Sequence, residues 1–394
     1  MSVSARPSDV VVTAARRTPM GSFLGSLCEL PAHRLGAAAI AAVVADSGLG
    51  PGEADGVAMG CVLAAGQGQA PARQAALAAG LAESVPAVTI NKMCGSGMKA
   101  VMDAFDQLRA GSADVLVAGG MESMSNAPYL LPRARAGYRM GHGELKDHMF
   151  LDGLEDAYEP GRLMGHFADA CARALQFTRE AQDAWAIESL ARARRAIAAG
   201  AFAAETVPVA ASAGEVRLDE QPGRARPEKI PELRPAFAPD GTVTAANASS
   251  ISDGAAALVL MRRETAEARG LAPLATVLGH ATHAQAPAWF TTAPAPAIAR
   301  LLDRIGLAAS GVDLFEINEA FAVVAMAAVR ELGLDPARVN PLGGACALGH
   351  PIGASGARIL VTLIHALIAR GGGTGVASLC IGGGEATAVA VRVG

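Results

Sequence analysis

Four short segments carry the residue types that nucleophilic and acid–base chemistry needs. Asn91-Lys92-Met93-Cys94-Gly95-Ser96-Gly97-Met98 sets a thiol at the turn between an apolar strand and a helix. Free backbone N–H groups and the helix dipole favour a thiolate there, and the glycines let an acyl group approach the backbone. Taken alone, Cys94 reads equally as a buried structural cysteine. His350 stands between Gly349 and Pro351 in a glycine-crowded loop, residues 343–356. A rigidly held imidazole suits a general base, though it also suits a structural histidine. The loop could cradle an anion, but no lysine occupies the position an ATP phosphate loop requires. Ser378-Leu379-Cys380-Ile381-Gly382-Gly383-Gly384 delivers a second thiol beside bare backbone N–H groups, the makeup of an oxyanion hole. Asn318-Glu319-Ala320-Phe321 offers an amide that can hold a water, donate a hydrogen bond or cap a helix.

Each of these segments follows a run that reads as a strand, and ligands of open parallel sheets bind at the C-terminal strand ends. Residues 10–13, 87–90 and 115–118 read as strands, the last ending at Gly119-Gly120. Residues 35–46 and 95–109 read as helices closed by Gly48 and Gly111. That alternation predicts crossover units and a largely parallel sheet. From about Met121 to Ala248, Pro, Arg, Asp and His become frequent and the strand signal fades. One long helix, residues 179–199, stands out there, with Ala184, Ile187 and Leu190 near helical spacing. The stretch reads as an inserted subdomain. From Asp253 the first texture returns, with strands at 256–261, 274–278, 312–317, 375–380 and 386–391 and helices from Glu319 and over 359–370. Ser96-Gly97, helix, Arg109, Gly111, strand and Gly119-Gly120 recurs as Ser355-Gly356, helix, Arg370-Gly371, strand and Gly382-Gly383. A duplicated α/β unit and a chance likeness both account for this echo.

The composition narrows the class. Apolar residues make up 51% of the 394 but aromatics only 4%, so Ala, Val, Leu and Gly must fill an interior large enough for two or three packing units. The formal charge of −4 and the absence of a basic run argue against nucleic acid, and an anionic ligand must be met by local groups. The six cysteines form no C-x-x-C pair, so no metal is expected. Residues 1–12 show no apolar leader before Arg16-Arg17, and the longest apolar runs fall short of the ~20 residues a membrane helix needs. A reducing cytoplasm is the expected compartment.

Together, the Cys94 segment, Asn318-Glu319-Ala320-Phe321, Gly349-His350-Pro351 and Cys380-Ile381-Gly382-Gly383-Gly384 resemble the four signature blocks of thiolases, in order and spacing. Gly119-Gly120-Met121-Glu122-Ser123-Met124-Ser125 and Ala246-Asn247-Ala248-Ser249 resemble further family segments, and the likeness runs from Val10 to Val391. The resemblance implies an α/β thiolase fold: two similar α/β halves in a five-layered α-β-α-β-α arrangement with an inserted loop domain. It divides the chain into an N-terminal half (1–120 and 250–272), a loop domain (121–249) and a C-terminal half (273–394). It implies an acyltransferase that interconverts two acetyl-CoA with acetoacetyl-CoA and CoA by ping-pong Claisen condensation and thiolysis. Cys94 would carry the acyl group. His350 would activate it and form one oxyanion hole with a water held by Asn318. Cys380 would move the α-proton, and the N–H groups of Cys94 and Gly382 would form the second hole. Ser249, Met164, Phe237, Ala248 and Phe321 would line the coenzyme A channel, with Phe290 in the acyl pocket. Coenzyme A thioesters are the only partners implied besides further copies of the chain in a homotetramer, a dimer of dimers joined through residues 124–149; no cofactor, nucleic acid or membrane is implied.

The sequence departs from the family pattern in places. Leu163 stands before Met164 where small-substrate members carry His, which leaves a more apolar wall. Gly384 is followed by Glu385-Ala386 instead of a glycine-rich continuation, and Phe290 replaces a common Met. Arg224 and Lys229 are the candidates for the nucleotide phosphate. The second cysteine argues against a related ketoacyl synthase. The presence of Cys94, His350 and Cys380 together argues against a non-catalytic acyl-CoA-binding relative. A rigid ring at Phe290 predicts short 3-oxoacyl-CoA substrates.

Overall fold

The computed structural model describes residues 6, 8–212 and 214–394, so most of the reading of residues 1–12 lies outside the described residues. Its main strands and helices are β1 (Val10–Arg17), α1 (Ala32–Asp46), β2 (Gly56–Gly60), α2 (Pro71–Ala78), β3 (Ala87–Ile90), α3 (Ser96–Ala110), β4 (Val115–Ser123), α4 (Met164–Ala174), α5 (Arg179–Ala198), β5 (Ser252–Arg262), β6 (Ala275–Ala284), α6 (Pro294–Ile305), β7 (Leu314–Ile317), α7 (Ala322–Leu332), α8 (Ala345–Leu348), α9 (Ser355–Ala369), β8 (Gly373–Ile381) and β9 (Glu385–Val393). Helix ends follow local chemistry: α3, α6 and α7 stop at Gly111, Gly306 and Gly333, each with positive φ.

The nine strands named form one sheet in the order β7-β8-β9-β6-β1-β5-β4-β2-β3, the short strand Gly21–Ser22 pairs with β5, and Tyr129–Leu130 with Lys146–Asp147 and Val209–Ala211 with Gly214–Val216 form two separate pairs. The two halves of that order repeat one plan. In the first, β1 pairs β5, β5 pairs β4 and β4 pairs β2; in the second, β6 pairs β9, β9 pairs β8 and β8 pairs β7. Even β3 has a remnant counterpart, since Val339 bridges Phe315 in parallel beside β7. The echo in the sequence is therefore a repeated fold.

Five layers follow from the buried clusters. The central layer is α3 and α9, whose apolar residues meet the facing sides of both half-sheets in one core from Val10 to Val391. The other side of the first half-sheet is covered by α1 and α2, and that of the second by α6 and α7. Small residues permit this thickness. An added Cβ at Gly97 would stand 2.9 Å from the Gly353 carbonyl, and one at Gly356 would stand 2.4 Å from the Met98 nitrogen. Both distances are below any real contact, so α3 and α9 approach at glycine.

Three expectations need correction. The sheet is mixed, because only β7–β8 and β4–β2–β3 run parallel. Parallel pairing needs a helical crossover, whereas β9 returns from β8 by a tight turn and β5 pairs β4 after the whole 124–251 segment. Gly119 and Gly120 do not end β4 but lie inside it, where Cβ atoms would strike the Ala256 and Gly353 carbonyls at 2.1 Å. The helix after Asn318 begins at Ala322, leaving Asn318 to Phe321 as irregular chain.

Candidate active site

Cys94 follows β3 by a compact turn. The Lys92 N–H donates to Ser96 Oγ at 2.8 Å, and that hydroxyl donates to the Met93 carbonyl at 2.6 Å. Met93 takes a φ of +48°, a conformation that non-glycine residues seldom adopt. The strained turn sets Cys94 at the mouth of α3, partly open to solvent. An added Cβ at Gly95 would stand 2.4 Å from Ile381 Cδ1, so only glycine lets this turn meet the one after β8.

The helix start does not leave Cys94 acidic, contrary to the sequence expectation. Burial pushes its thiol up to about 11, and the nearby N–H groups of Gly382 and Cys94 offset only part of that. The Glu122 carboxylate adds a smaller upward push. Cys380, 1% exposed on β8, is raised well above the ordinary thiol value, first by burial and next by Cys94. The two sulfurs are therefore close enough for one to raise the other.

His350 lies between α8 and α9, not at a strand end as expected. Its Nδ1 is 2.5 Å from Ser355 Oγ, whose own proton goes to the Pro351 carbonyl at 2.9 Å. That arrangement places the ring proton on Nδ1 and leaves Nε2 as a free base. Nε2 is buried without a hydrogen-bond partner. Burial, with Arg358 second, lowers the imidazole to about 3, so it rests neutral. Asn318, 1% exposed, lies with Nδ2 3.4 Å from His350 Nδ1, and its Oδ1 is also unpaired. Neither atom has a protein partner among the described residues, so each is free to bond a ligand or water.

Glu319 fixes this arrangement, a role the sequence reading missed. Its carboxylate accepts from Trp185 Nε1 at 2.9 Å, Ser189 Oγ at 2.7 Å, Asn340 Nδ2 at 3.0 Å and the Cys346 N–H at 3.1 Å. One acid thus ties α5 to the loops carrying Asn318 and His350.

The proposed lining residues come together. Cys380, Ala248, Phe290 and Phe321 are buried in one apolar cluster, with Met164 and Phe237 packed against it. Phe321 meets Phe237 and Phe290 edge-on, with centroids 6.1 and 6.4 Å apart. Ala248 bridges Phe321, and Ser249 bonds the Ala320 carbonyl through both N–H and Oγ. Met164 Sδ lies 3.7 Å from where a Cβ at Gly382 would stand. A cleft of about 520 Å³ opens here, lined by Met93, Met164, Gly382, Gly383, His148 and Tyr158 among others. His148, with Nδ1 2.6 Å from Asp152, and Tyr158 stand in no motif that marks them in the sequence. Leu163 pairs with Glu155 in a single bridge. Arg224 is engaged by Glu220 at 2.8 Å. Among the described residues, no group of His, Cys, Asp and Glu could hold a metal ion.

Known proteins share this architecture. The family profile described as "Thiolase, N-terminal domain" matches residues 10–264, and "Thiolase, C-terminal domain" matches residues 271–393. Acetyl-CoA acetyltransferase 2 of Arabidopsis thaliana is 51% identical, over 100% of this chain and 99% of its own. Acetyl-CoA acetyltransferase of Pseudomonas aeruginosa is 50% identical, over 97% and 98%. The crystal structure of the Acat5 thiolase from Ascaris suum in complex with coenzyme A superposes with a TM-score of 0.94 at 45% identity, covering 98% of this chain and 100% of that one.

Proposed function

The chain belongs to the thiolase family, and from that membership we propose an acetyl-CoA acetyltransferase that interconverts two acetyl-CoA with acetoacetyl-CoA and CoA. The observation that carries the reading is that Cys380, within electrostatic reach of Cys94, is buried in the apolar cluster of Ala248, Phe290 and Phe321 with Met164 and Phe237 packed against it, while the buried His350 keeps Nε2 free of any partner among the described residues.

Cys94 attacks the thioester carbonyl while its proton passes to His350 Nε2. Thiol and imidazole both rest neutral, so the proton moves with the attack and no standing ion pair is needed. Collapse of the tetrahedral intermediate breaks the bond to CoA sulfur. The protonated imidazole returns its proton to that sulfur, leaving acetyl-Cys94. The Cys380 thiol then gives its proton to the free imidazole of His350, its thiolate takes an α-proton from a second acetyl-CoA, and the enolate carbon attacks the Cys94 thioester. The new carbon–carbon bond forms as the Cys94 sulfur leaves and takes the proton back from His350, which restores both thiols and the neutral imidazole. A thioester α-carbon is a very weak acid, so each oxyanion needs fixed donors. His350 and a water held by Asn318 serve one oxygen, and the N–H groups of Cys94 and Gly382 serve the other.

The same reading assigns the coenzyme A arm to the 121–249 segment and Ser249, between halves formed by 1–120 with 250–272 and by 273–394. It assigns a homotetramer paired through residues 124–149, where Tyr129, Leu131, Tyr138, Met140 and Leu145 are exposed. All six cysteines are free, which fits a reducing cytoplasm, and no described helix is long and apolar enough to cross a membrane. Mass spectrometry after mixing with acetyl-CoA tests the reading: one acetyl group on Cys94 is expected. An unmodified Cys94 under turnover conditions rejects it.

A further inference from the structure

The repeated fold builds the active-site junction twice. β2 and β7 end at Gly60 and Ile317, which pair with Gly120 and Ser378 of β4 and β8. Two residues further along those strands stand Glu122 and Cys380. The helices α3 and α9 begin at Ser96 and Ser355. Two residues before each start stand Cys94 and Gly353, and five before stand Asn91 and His350. The position equivalent to Cys380 therefore holds Glu122, and the position equivalent to Cys94 holds Gly353.

The twin junction is closed. Glu122 is fully buried. Its Oε2 accepts from the Val62 N–H at 2.9 Å and the Gly353 N–H at 2.9 Å; its Oε1 accepts from the Leu63 N–H at 3.1 Å and lies 3.5 Å from Cys61 Sγ. Three N–H donors from both halves of the chain converge on one carboxylate. The chain segments it holds reach the reacting groups. Val62, Leu63 and Ile352 are buried in one cluster, against which Met93 and Cys94 pack. Gly353 stands three residues after His350. A Cβ at Gly353 would lie 2.6 Å from Glu122 Oε2.

We propose that Glu122 is a positioning residue for the acyl transfer: its carboxylate fills the donor nest that duplication placed opposite the active site, and so holds the Cys94 and His350 turns in mutual register. This rests on the assignment of Cys94 and His350 given above. Cys61 and Cys94 are the titratable groups facing Glu122, and burial holds its carboxyl up at about 7 despite the three N–H groups.

The test compares Glu122→Ala and Glu122→Gln with the parent protein. The parent must first acetylate Cys94, which separates failure of the reaction assignment from failure of this inference. Removing the side chain beyond Cβ opens a space the size of a small carboxylate. Glu122→Ala is expected to lose ~10- to 100-fold in kcat for acetoacetyl-CoA thiolysis with little change in KM, the effect of a misplaced reacting pair. Sodium formate at tens of millimolar should restore part of that loss, whereas equal sodium chloride should not, and formate should not stimulate the parent. Glu122→Gln keeps the shape and removes the charge beside Cys94, so the midpoint of Cys94 alkylation against pH should fall. Kcat within twofold of the parent in both variants overturns the inference. So does a loss in Glu122→Ala that formate leaves untouched while Glu122→Gln, folded and soluble, alkylates with the parent's pH profile.

Discussion

Where β3 runs into α3, a cysteine stands two residues before the helix; where the Pro351 turn runs into α9, a glycine stands there. Across from the cysteine is a second thiol, and across from the glycine is a carboxylate. The backbone plan is shared, yet the bonding differs. Around Glu122 each carboxylate oxygen is satisfied by N–H donors at 2.9–3.1 Å. In the other junction, His350 Nε2 and Asn318 Oδ1 have no protein partner among the described residues. The open junction therefore leaves side-chain polar atoms available to a ligand or water, whereas its twin engages them with its own backbone. The difference teaches where to look for chemistry in a duplicated fold: at the copy whose polar groups are left incomplete.

The comparison is sharpest at the nucleophile. Cys94→Ala makes the open junction as inert as the one at Gly353, and activity in both directions should fall by about four orders of magnitude or more. The expected partner result is an unchanged melting temperature within a few degrees. Residual condensation within tenfold of the parent would sink the assignment.

Changing the opposite thiol should split the reaction instead of ending it. Cys380→Ser should still give acetyl-Cys94 with acetyl-CoA but lose exchange of the α-proton with deuterated water by about 10²- to 10⁴-fold. A variant that exchanges the proton and fails to acetylate reverses the two roles.

A smaller effect tests the charge state. With the Cys94 thiol held up at about 11, the free enzyme carries roughly one thiolate in ten thousand molecules at pH 7. An acid with a raised value ionises later, so iodoacetamide alkylation should climb about tenfold per pH unit from 7 towards 10. A plateau beginning near pH 7 would instead reveal a preformed thiolate–imidazolium pair, and the N-terminus of α3 would then outweigh burial after all.

The smallest effect concerns the pocket wall that the closed junction lacks. Phe290 is 3% exposed and meets Phe321 edge-on. The C4 to C8 ratio of kcat/KM for 3-oxoacyl-CoA should exceed one in the parent. Phe290→Ala should lower it by about tenfold, since one methylene in an apolar pocket is worth roughly 1–3 kcal/mol. The same change should cost about 3–5 kcal/mol of stability, so the rates are best taken well below the melting temperature. An unchanged ratio removes Phe290 as the gate.

Sequence by itself determined the chemistry's cast and much of the framework. Cys94, His350 and Cys380 sit in glycine-marked turns and Asn318 in a short polar one, and β3 is legible to its residue bounds because a short β-prone run lies between Pro86 and the polar Asn91-Lys92. The helices α3, α5 and α9 were legible from period and closing glycines, within a few residues at their ends. Strand β2 and helix α2 are too short to give a strong signal, whereas α4 and α6 carry apolar residues at helical spacing, Phe167, Ala168 and Cys171 in one and Ile298, Leu301 and Leu302 in the other, that the sequence analysis leaves unread. The echo was visible but misaligned at its end, where Gly119-Gly120 was matched to Gly382-Gly383. Glycine identity does not distinguish a strand interior squeezed by the Ala256 and Gly353 carbonyls from a tight turn between β8 and β9.

Only the tertiary structure decided the electrostatics and the partners. The turn of α3 predicts an acidified thiol, and burial reverses it, because desolvation depends on every segment packed around the sulfur. Glu319 and Glu122 looked like ordinary acids in motif neighbourhoods. Their meaning lies in donors from Trp185, Ser189 and Asn340 in one case and from Val62, Leu63 and Gly353 in the other. Sequence spacing sets which residues can occupy a turn. Which distant N–H groups a buried carboxylate gathers is fixed by how the layers pack, and no local pattern encodes that.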